Sequence, residues 1–562
     1  MCRSFSLTLL ILVLLPLGAA SAAPLPGDRD LIRERQQHLI EEQRKRLEEL
    51  QQLPLQPKQL EPGQDEDAHC VNVSRIRLQG AELIDEKQRG ELLSSYLGQC
   101  LGDAGLNRVL QSITGFYLDR GYVTSRAYLP QQDLSGGELL VVIVEGRLEA
   151  LEGSGIASAR ELAMVSPAVE GGLLNLRELE QTVDQLGRLP SRSAELELLP
   201  GEAVGGSKVL LTGVRGSPWR AGLNRHNDGQ ASTGEQQWGG SLEWDSPLGL
   251  ADQLSLRGGG DAVSDHWRHS ANQGLSYSLP YGWWTFAYSY SQSYYRTRNE
   301  GLGFAFALDG ESKSHQFRAE RVLHRDSLSR TGVSFGLGHL RTRNYVEDSL
   351  IRESSNRLSD FQFGLSHGRR LGTGFFNLDA GWQRGIGALD AQRAGRPRKD
   401  DPVARFNKYS LTASYLQPFT LGEQTLSFDS LVHGQRSEDV LFSSQRLGLG
   451  GLSAVRGYKE QSLYADTGAY WRNQLRWRLP ARWEPIRPFV QEYGLAIAYD
   501  LGVAHGDAHN AGQHGRLSSH AFEFSARGPH LAASLTLAHS LERPHAIERR
   551  ERPAYFRLDL FF

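Results

Sequence analysis

Tyr555-Phe556-Arg557-Leu558-Asp559-Leu560-Phe561-Phe562 closes the chain, and it alternates. Phe556, Leu558, Leu560 and Phe562 share one face of a strand, and Arg557 and Asp559 share the other. One apolar and one charged face suit a barrel whose outside meets lipid and whose inside meets water. The last strand of a soluble sandwich alternates too, so this segment alone leaves both readings open. Upstream stretches decide between them.

From about Val214 onward the period is two. Leu275, Tyr277 and Leu279 alternate with serines. After Pro280-Tyr281-Gly282 the same holds for Trp284, Phe286, Tyr288 and Tyr290. Val333, Phe335 and Leu337 repeat the pattern, as do Phe361, Phe363 and Leu365. So do Phe376, Leu378, Ala380 and Trp382, and later Leu531, Ala533, Leu535 and Leu537. Short turns alternate with long polar connections, the rhythm of an outer-membrane barrel. Gly385 to Asn407, with Arg393, Arg396, Arg398 and Lys399, reads as an outer loop. In Trp471 to Leu479 the inward set is Arg472, Gln474, Arg476 and Arg478, which requires a hydrated lumen. Beyond the first residues no apolar run reaches the ~18 residues of a spanning helix. Strands would have to cross, and they cross only as a closed barrel.

Composition agrees. A net charge of −3 over 562 residues gives no basic field for nucleic acid. Glycine is abundant (61), methionine scarce (2), tryptophan and tyrosine numerous (10 and 19). A mean hydropathy of −0.42 excludes a helical membrane protein but not a barrel with a polar lumen. Residues 1–22 read as an export signal: Arg3, an apolar stretch from Phe5 to Leu17, and small residues Ala20-Ser21-Ala22. Cys2 leaves with it. Cys70 and Cys100 remain, and an even pair in an exported chain favours a disulfide over two buried thiols; no zinc cage can form from two cysteines.

Residues 23–53 hold a charged helix from about Asp28 to Leu53, with Glu41/Lys45 and Glu42/Arg46 at i,i+4 spacing. Its apolar stripe (Leu31, Ile32, Leu39, Ile40, Leu47, Leu50) is too thin to join a core firmly. It is either a solvated helix or a removable plug. Pro54, Pro57, Pro62 and Gly63 mark 54–69 as a linker. Residues 70–145 read β-α-α-β-β, with a capping box at Asp85/Gln88 and Gly121 placed to cap the second helix. Residues 146–213 repeat that order more loosely, and 214–562 form the barrel.

Leu449-Gly450-Gly451-Leu452-Ser453-Ala454-Val455-Arg456-Gly457-Tyr458 lies in a long Gly-rich loop, near 437–469. Its Val455-Arg456-Gly457-Tyr458 core resembles the inward-loop motif of the outer-membrane assembly and secretion superfamily. There the arginine meets an aspartate on the inner barrel wall, which Tyr499-Asp500-Leu501-Gly502 supplies here. A planar guanidinium can hold such a carboxylate through two hydrogen bonds. Further matching stretches are Tyr117 to Tyr122, Ala127 to Leu134, Val144 to Arg147, Arg188-Leu189-Pro190, Leu199 to Glu202, and Asn227 to Gly234. With the order of segments, they make the mature chain resemble TpsB, the transporter of bacterial two-partner secretion, nearest its haemolysin and contact-inhibition branch. Gln491-Glu492-Tyr493 is more polar than that pattern leads one to expect.

The resemblance implies a membrane all-β barrel of about 16 antiparallel strands, preceded by two periplasmic α+β POTRA domains and an N-terminal helix. It implies residence in the outer membrane of a Gram-negative bacterium and export of one large unfolded TpsA-type partner. Insertion by the barrel-assembly machinery, with Phe562 as the aromatic signal, follows from the same likeness. The alternatives are an insertase of the same superfamily, which typically carries more periplasmic modules, or a passive porin or receptor. No Gly-Lys-Ser/Thr phosphate loop, nucleophile motif or metal-ligand spacing appears, so no cofactor, metal or catalytic residue is expected.

Overall fold

The computed structural model describes residues 24–51, 70–263, 265–301, 304–392, 401–506 and 512–562. The expected export signal, the linker 54–69 and the loop cations Arg393 to Lys399 lie outside the described residues.

Among the described residues, sixteen strands from Trp219–His226 to Ala554–Phe561 close an antiparallel barrel. The two-residue strand Ser349–Leu350 hangs on the edge of Ser329–Val346. The alternation decides which side faces out: Leu223, Trp238, Phe317, Phe335, Leu365, Leu411, Ile497 and Phe522 are exposed on the outer wall. The polar residues that alternate with them line the lumen. At one end, hairpins close in two residues with a positive-φ glycine leading, as Gly282 (+54°), Gly372 (+63°) and Gly422 (+60°) do. The seam pairs Arg557 with His226 and Phe561 with Gly222, and the Phe562 and Ala221 backbones exchange two hydrogen bonds. Asn227 extends the seam, donating to the Ala554 carbonyl and accepting from the Phe556 amide.

Two small modules precede the barrel. In the first, helices Glu86–Leu93 and Asp103–Asp119 pack Val109, Ile113 and Tyr117 onto the sheet Arg75–Gln79, Glu138–Val144, Arg126–Tyr128. Asp85 and Gln88 form the expected capping box, and Gly121 has φ +90°. The first strand of the module divides at Ser74. Val71–Val73 pairs with Gln99–Leu101, while Arg75–Gln79 pairs with Glu138–Val144. Cys100 therefore sits in the short strand Gln99–Leu101, and it is bonded to Cys70.

The second module packs helices Ala159–Val165 and Leu176–Gly187 on the sheet Arg147–Glu152, Gly206–Arg215, Arg192–Pro200. Val214 is paired with Ser193 in that sheet, so the barrel begins at Trp219 rather than 214. The same alternation runs through both; Gly216-Ser217-Pro218 is where the chain changes sheets. This module docks on the short-turn end of the barrel. Gln185 donates to the Gly282 and Trp284 carbonyls, and Arg188 to that of Ala251. Buried Arg325 holds Glu180 and Asp184, and buried Glu161 is bound by both Arg192 and Ser246.

Candidate functional site

The loop 437–467 joins the wall strands Gln424–Arg436 and Gly468–Pro480, and it folds inward. Leu449, Ala454, Val455, Tyr458 and Leu463 are fully buried there against Tyr470 and Leu517. The motif residues each have a physical role. The Arg456 backbone amide donates to Asp500 Oδ2 at 3.1 Å, and Arg456 Nε stands 3.5 Å from the same oxygen. Both charges are shielded, with side chains 3% and 0% exposed. The guanidinium thus approaches one oxygen only, without the two-bond fork expected, and Asp500 Oδ1 and Arg456 Nη1 have no hydrogen-bond partner among the described residues.

Gly457 allows the loop to touch the wall. A Cβ there would lie 2.5 Å from Ser519 Cβ and 2.8 Å from the Ser540 amide nitrogen. Gly502 is similar, since its Cβ would meet Val455 Cγ2 at 2.9 Å. Tyr458 donates to the Ser518 and Glu542 carbonyls. Asp500 begins no new strand: Glu492–Ala504 starts at the polar Glu492, paired with Pro480 and Arg527. Across the wall Arg472 is the register partner of Asp500, so the expected inward arginine and the acid share one lumen face.

Two anchors were not expected from the sequence. Tyr555, in phase with Arg557 and Asp559, points inward and donates to the Arg456 carbonyl at 3.0 Å. Glu551 accepts the amides of Lys459, Glu460 and Gln461 at 2.7, 3.0 and 2.9 Å. The first had a signal, an aromatic on the charged face of the last strand. The second had none, being an acid among several in a loop.

The helix Pro26–Gln51 runs against the lumen wall. Few apolar residues hold it: Leu31, Ile32, Leu47 and Leu50 are buried, while Leu39 and Ile40 are half-buried. Polar contacts dominate. Gln43 bonds Asp379, Asn377 (2.9 Å) and Ser414 (2.8 Å). Arg46 faces Glu320 (3.4 Å) and Asp379 (3.6 Å), Glu42 faces Arg318 (3.1 Å), and Glu49 faces Arg330 (2.8 Å). The expected Glu42–Arg46 pair forms at 3.2 Å, whereas Glu41 turns to Arg257.

At its N-terminal half the helix rests on the loop. Gln36 donates to the Gly448 carbonyl at 2.6 Å, and Arg35 to that of Ser444 at 3.0 Å. Arg33 and Gln37 bind Asp228. The lumen therefore contains two inserted elements: the loop, packed on the wall by buried apolar residues, and the helix, joined to the loop and to the wall mainly by polar side chains. Among the described residues no group of three metal-ligating side chains occurs.

Comparison with known proteins agrees with this architecture. The profile of the haemolysin secretion/activation protein family ShlB/FhaC/HecB matches residues 205–526. Profiles of POTRA domains match 71–146 (ShlB-type) and 147–200. The chain is 34% identical to the outer membrane transporter CdiB of Escherichia coli O6:K15:H31 (strain 536 / UPEC), covering 100% of this chain and 94% of that one. It is 32% identical to the hemolysin transporter protein ShlB of Serratia marcescens over 78% of this chain and 77% of that one. The solved structure of CdiB from Escherichia coli superposes with a TM-score of 0.89 at 33% identity, covering 96% of this chain and 100% of that one. The chain belongs to the haemolysin secretion/activation protein family, the outer-membrane transporters of two-partner secretion.

Proposed function

We propose that this barrel exports one large unfolded TpsA-type protein, a haemolysin, adhesin or toxin, and that Pro26–Gln51 is its resting plug. The observation that carries the reading is the character of the lumen contacts. A helix meant to stay would bury an apolar stripe, and this one is held mainly by replaceable ion pairs and amides. The partner would first bind in the periplasm by adding a strand to an open sheet edge. Arg75–Gln79 and Arg192–Pro200 are such edges, each hydrogen-bonded on one side. Folding of the partner outside would supply the drive, as the sequence holds no Gly-Lys-Ser/Thr phosphate loop. Arg456 and Asp500 keep the loop against the wall while the plug leaves.

Deleting residues 26–51 tests this. The variant should conduct more in planar bilayers while still exporting its partner. Equal conductance with and without the helix would refute the plug, and full export by a barrel lacking both modules would refute capture in the periplasm.

A further inference from the structure

The outer wall carries a pattern that export does not use. Tyr288, Phe317, Leu337 and Phe361 are register partners on four neighbouring strands. Two residues along, the row is Tyr290, His315, His339 and Ser359; two further, it is Gln292, Lys313, Arg341 and Arg357. A period of two keeps all three rows on the lipid-facing side. The cationic row lies toward the end opposite the docked second module, so it faces the outer leaflet. The wall thus passes from apolar, through a tyrosine–histidine belt, to three adjacent cations, at about 7 Å per step along the strands.

Cross-strand neighbours stand about 4.5–5.5 Å apart at Cβ, and like charges there destabilise a sheet. Lys313 has Glu311 (2.7 Å) and Arg357 has Asp390, but exposed Arg341 between them has no ion-pair partner among the described residues. We propose that Lys313, Arg341 and Arg357 bind the phosphates of a multiply acylated, phosphorylated glycolipid of the outer leaflet. Its acyl chains would lie over Phe317, Leu337 and Phe361. Guanidinium forks suit phosphate oxygens, and the neighbouring histidines and Tyr290 suit sugar hydroxyls at the boundary. The charge row fits a headgroup carrying two phosphates better than a singly charged phospholipid.

Native mass spectrometry of the detergent-solubilised full chain provides the test, with diphosphoryl lipid A as probe. Lipid A should bind at least tenfold more tightly than phosphatidylglycerol, with monophosphoryl lipid A between them. Excess inorganic phosphate should leave it bound. Lys313→Gln/Arg341→Gln/Arg357→Gln should remove that preference, and Arg341→Gln alone should weaken it several-fold should the triple variant fail to fold. Arg321→Gln, an outward cation at the other end of the wall, should bind as the parent does. Equal binding by Arg341→Gln, displacement by inorganic phosphate, or equal affinity for phosphatidylglycerol would overturn the assignment.

Discussion

Asp500→Ala removes the acid proposed to anchor the inward loop. Asp500 Oδ2 accepts the Arg456 amide at 3.1 Å, the Ser519 hydroxyl lies 3.4 Å away, and Arg456 Nε stands at 3.5 Å. At that last distance, an effective dielectric near 20 gives an attraction of about 5 kcal/mol before desolvation is subtracted. Removing one partner leaves the other charge shielded and unmatched, which costs about 3–5 kcal/mol. The cost falls on loop opening, not on the barrel, whose strands keep their pairing. Trypsin cleavage at Lys459 in the native state therefore reports it directly, since cleavage follows the population of the open loop. Asp500→Ala and Arg456→Ala should each raise that cleavage by a hundredfold or more, about 3 kcal/mol. Both should still migrate as folded barrels without boiling, and both should export less partner. The double variant should cost little more than either single one, a coupling of about 2–3 kcal/mol. Additive costs would mean that the two side chains are not coupled, since Arg456→Ala keeps the backbone amide bond, and the ion-pair anchor would fail.

Gly457→Ala should free the same loop by steric means, costing about 1–3 kcal/mol, because its Cβ meets the Ser519 side chain and the Ser540 backbone; unchanged trypsin cleavage would contradict the close approach. Cys70→Ser/Cys100→Ser should lower the stability of the first module by about 3–4 kcal/mol, the bridge spanning a sequence separation of 30; thiol labelling of the unreduced parent should find neither cysteine. Burial opposes the charge of Glu161, but Arg192 and the Ser158 and Ser246 hydrogen bonds overcome it and hold its carboxyl down at about 2, from 4.5. Because that value is depressed in the folded state, the stabilisation is present above pH about 4.5 and is lost as pH falls toward about 2. Chemical cross-linking of the second module to the barrel should weaken over that window, and Glu161→Gln should flatten the response.

Much of the fold was legible because it rests on local periods. The alternation of Trp284, Phe286, Tyr288 and Tyr290 decides strand, face and barrel together. Asp85 with Gln88 marks a helix start through hydrogen bonds three residues apart. The division at Ser74 was not legible, since both halves have strand character and only their partners, Gln99–Leu101 and Glu138–Val144, differ. Val214 misplaced the barrel start for the same reason: two sheets with one period leave no mark at the join. The Arg456–Asp500 contact could be expected from motif order, yet the backbone amide that shares Asp500 Oδ2 with the guanidinium is something no sequence pattern displays.

The helix is the hardest element to read, and the reason is physical. Its partners are set by the lumen, not by spacing: Gln36 meets Gly448 across 412 residues, and Gln43 meets Ser414 across 371. What the sequence does show is a deficit, a stripe too thin for a core. The structure turns that deficit into a coupling. The N-terminal half lies on the base of the inward loop, where Ile32 Cγ2 would stand 2.9 Å from a Cβ on Gly448. At the other end Glu49 shares Arg330 with Asp184, at 2.8 and 3.9 Å, and Asp184 belongs to the docked second module. A helix tied at one end to the loop and at the other to the module that would hold the partner can respond to both. Each tie is a polar contact worth about 1 kcal/mol or less when water can enter. Under the proposed plug role, release would need no single large input, since each contact exchanged for water or peptide would loosen the helix further.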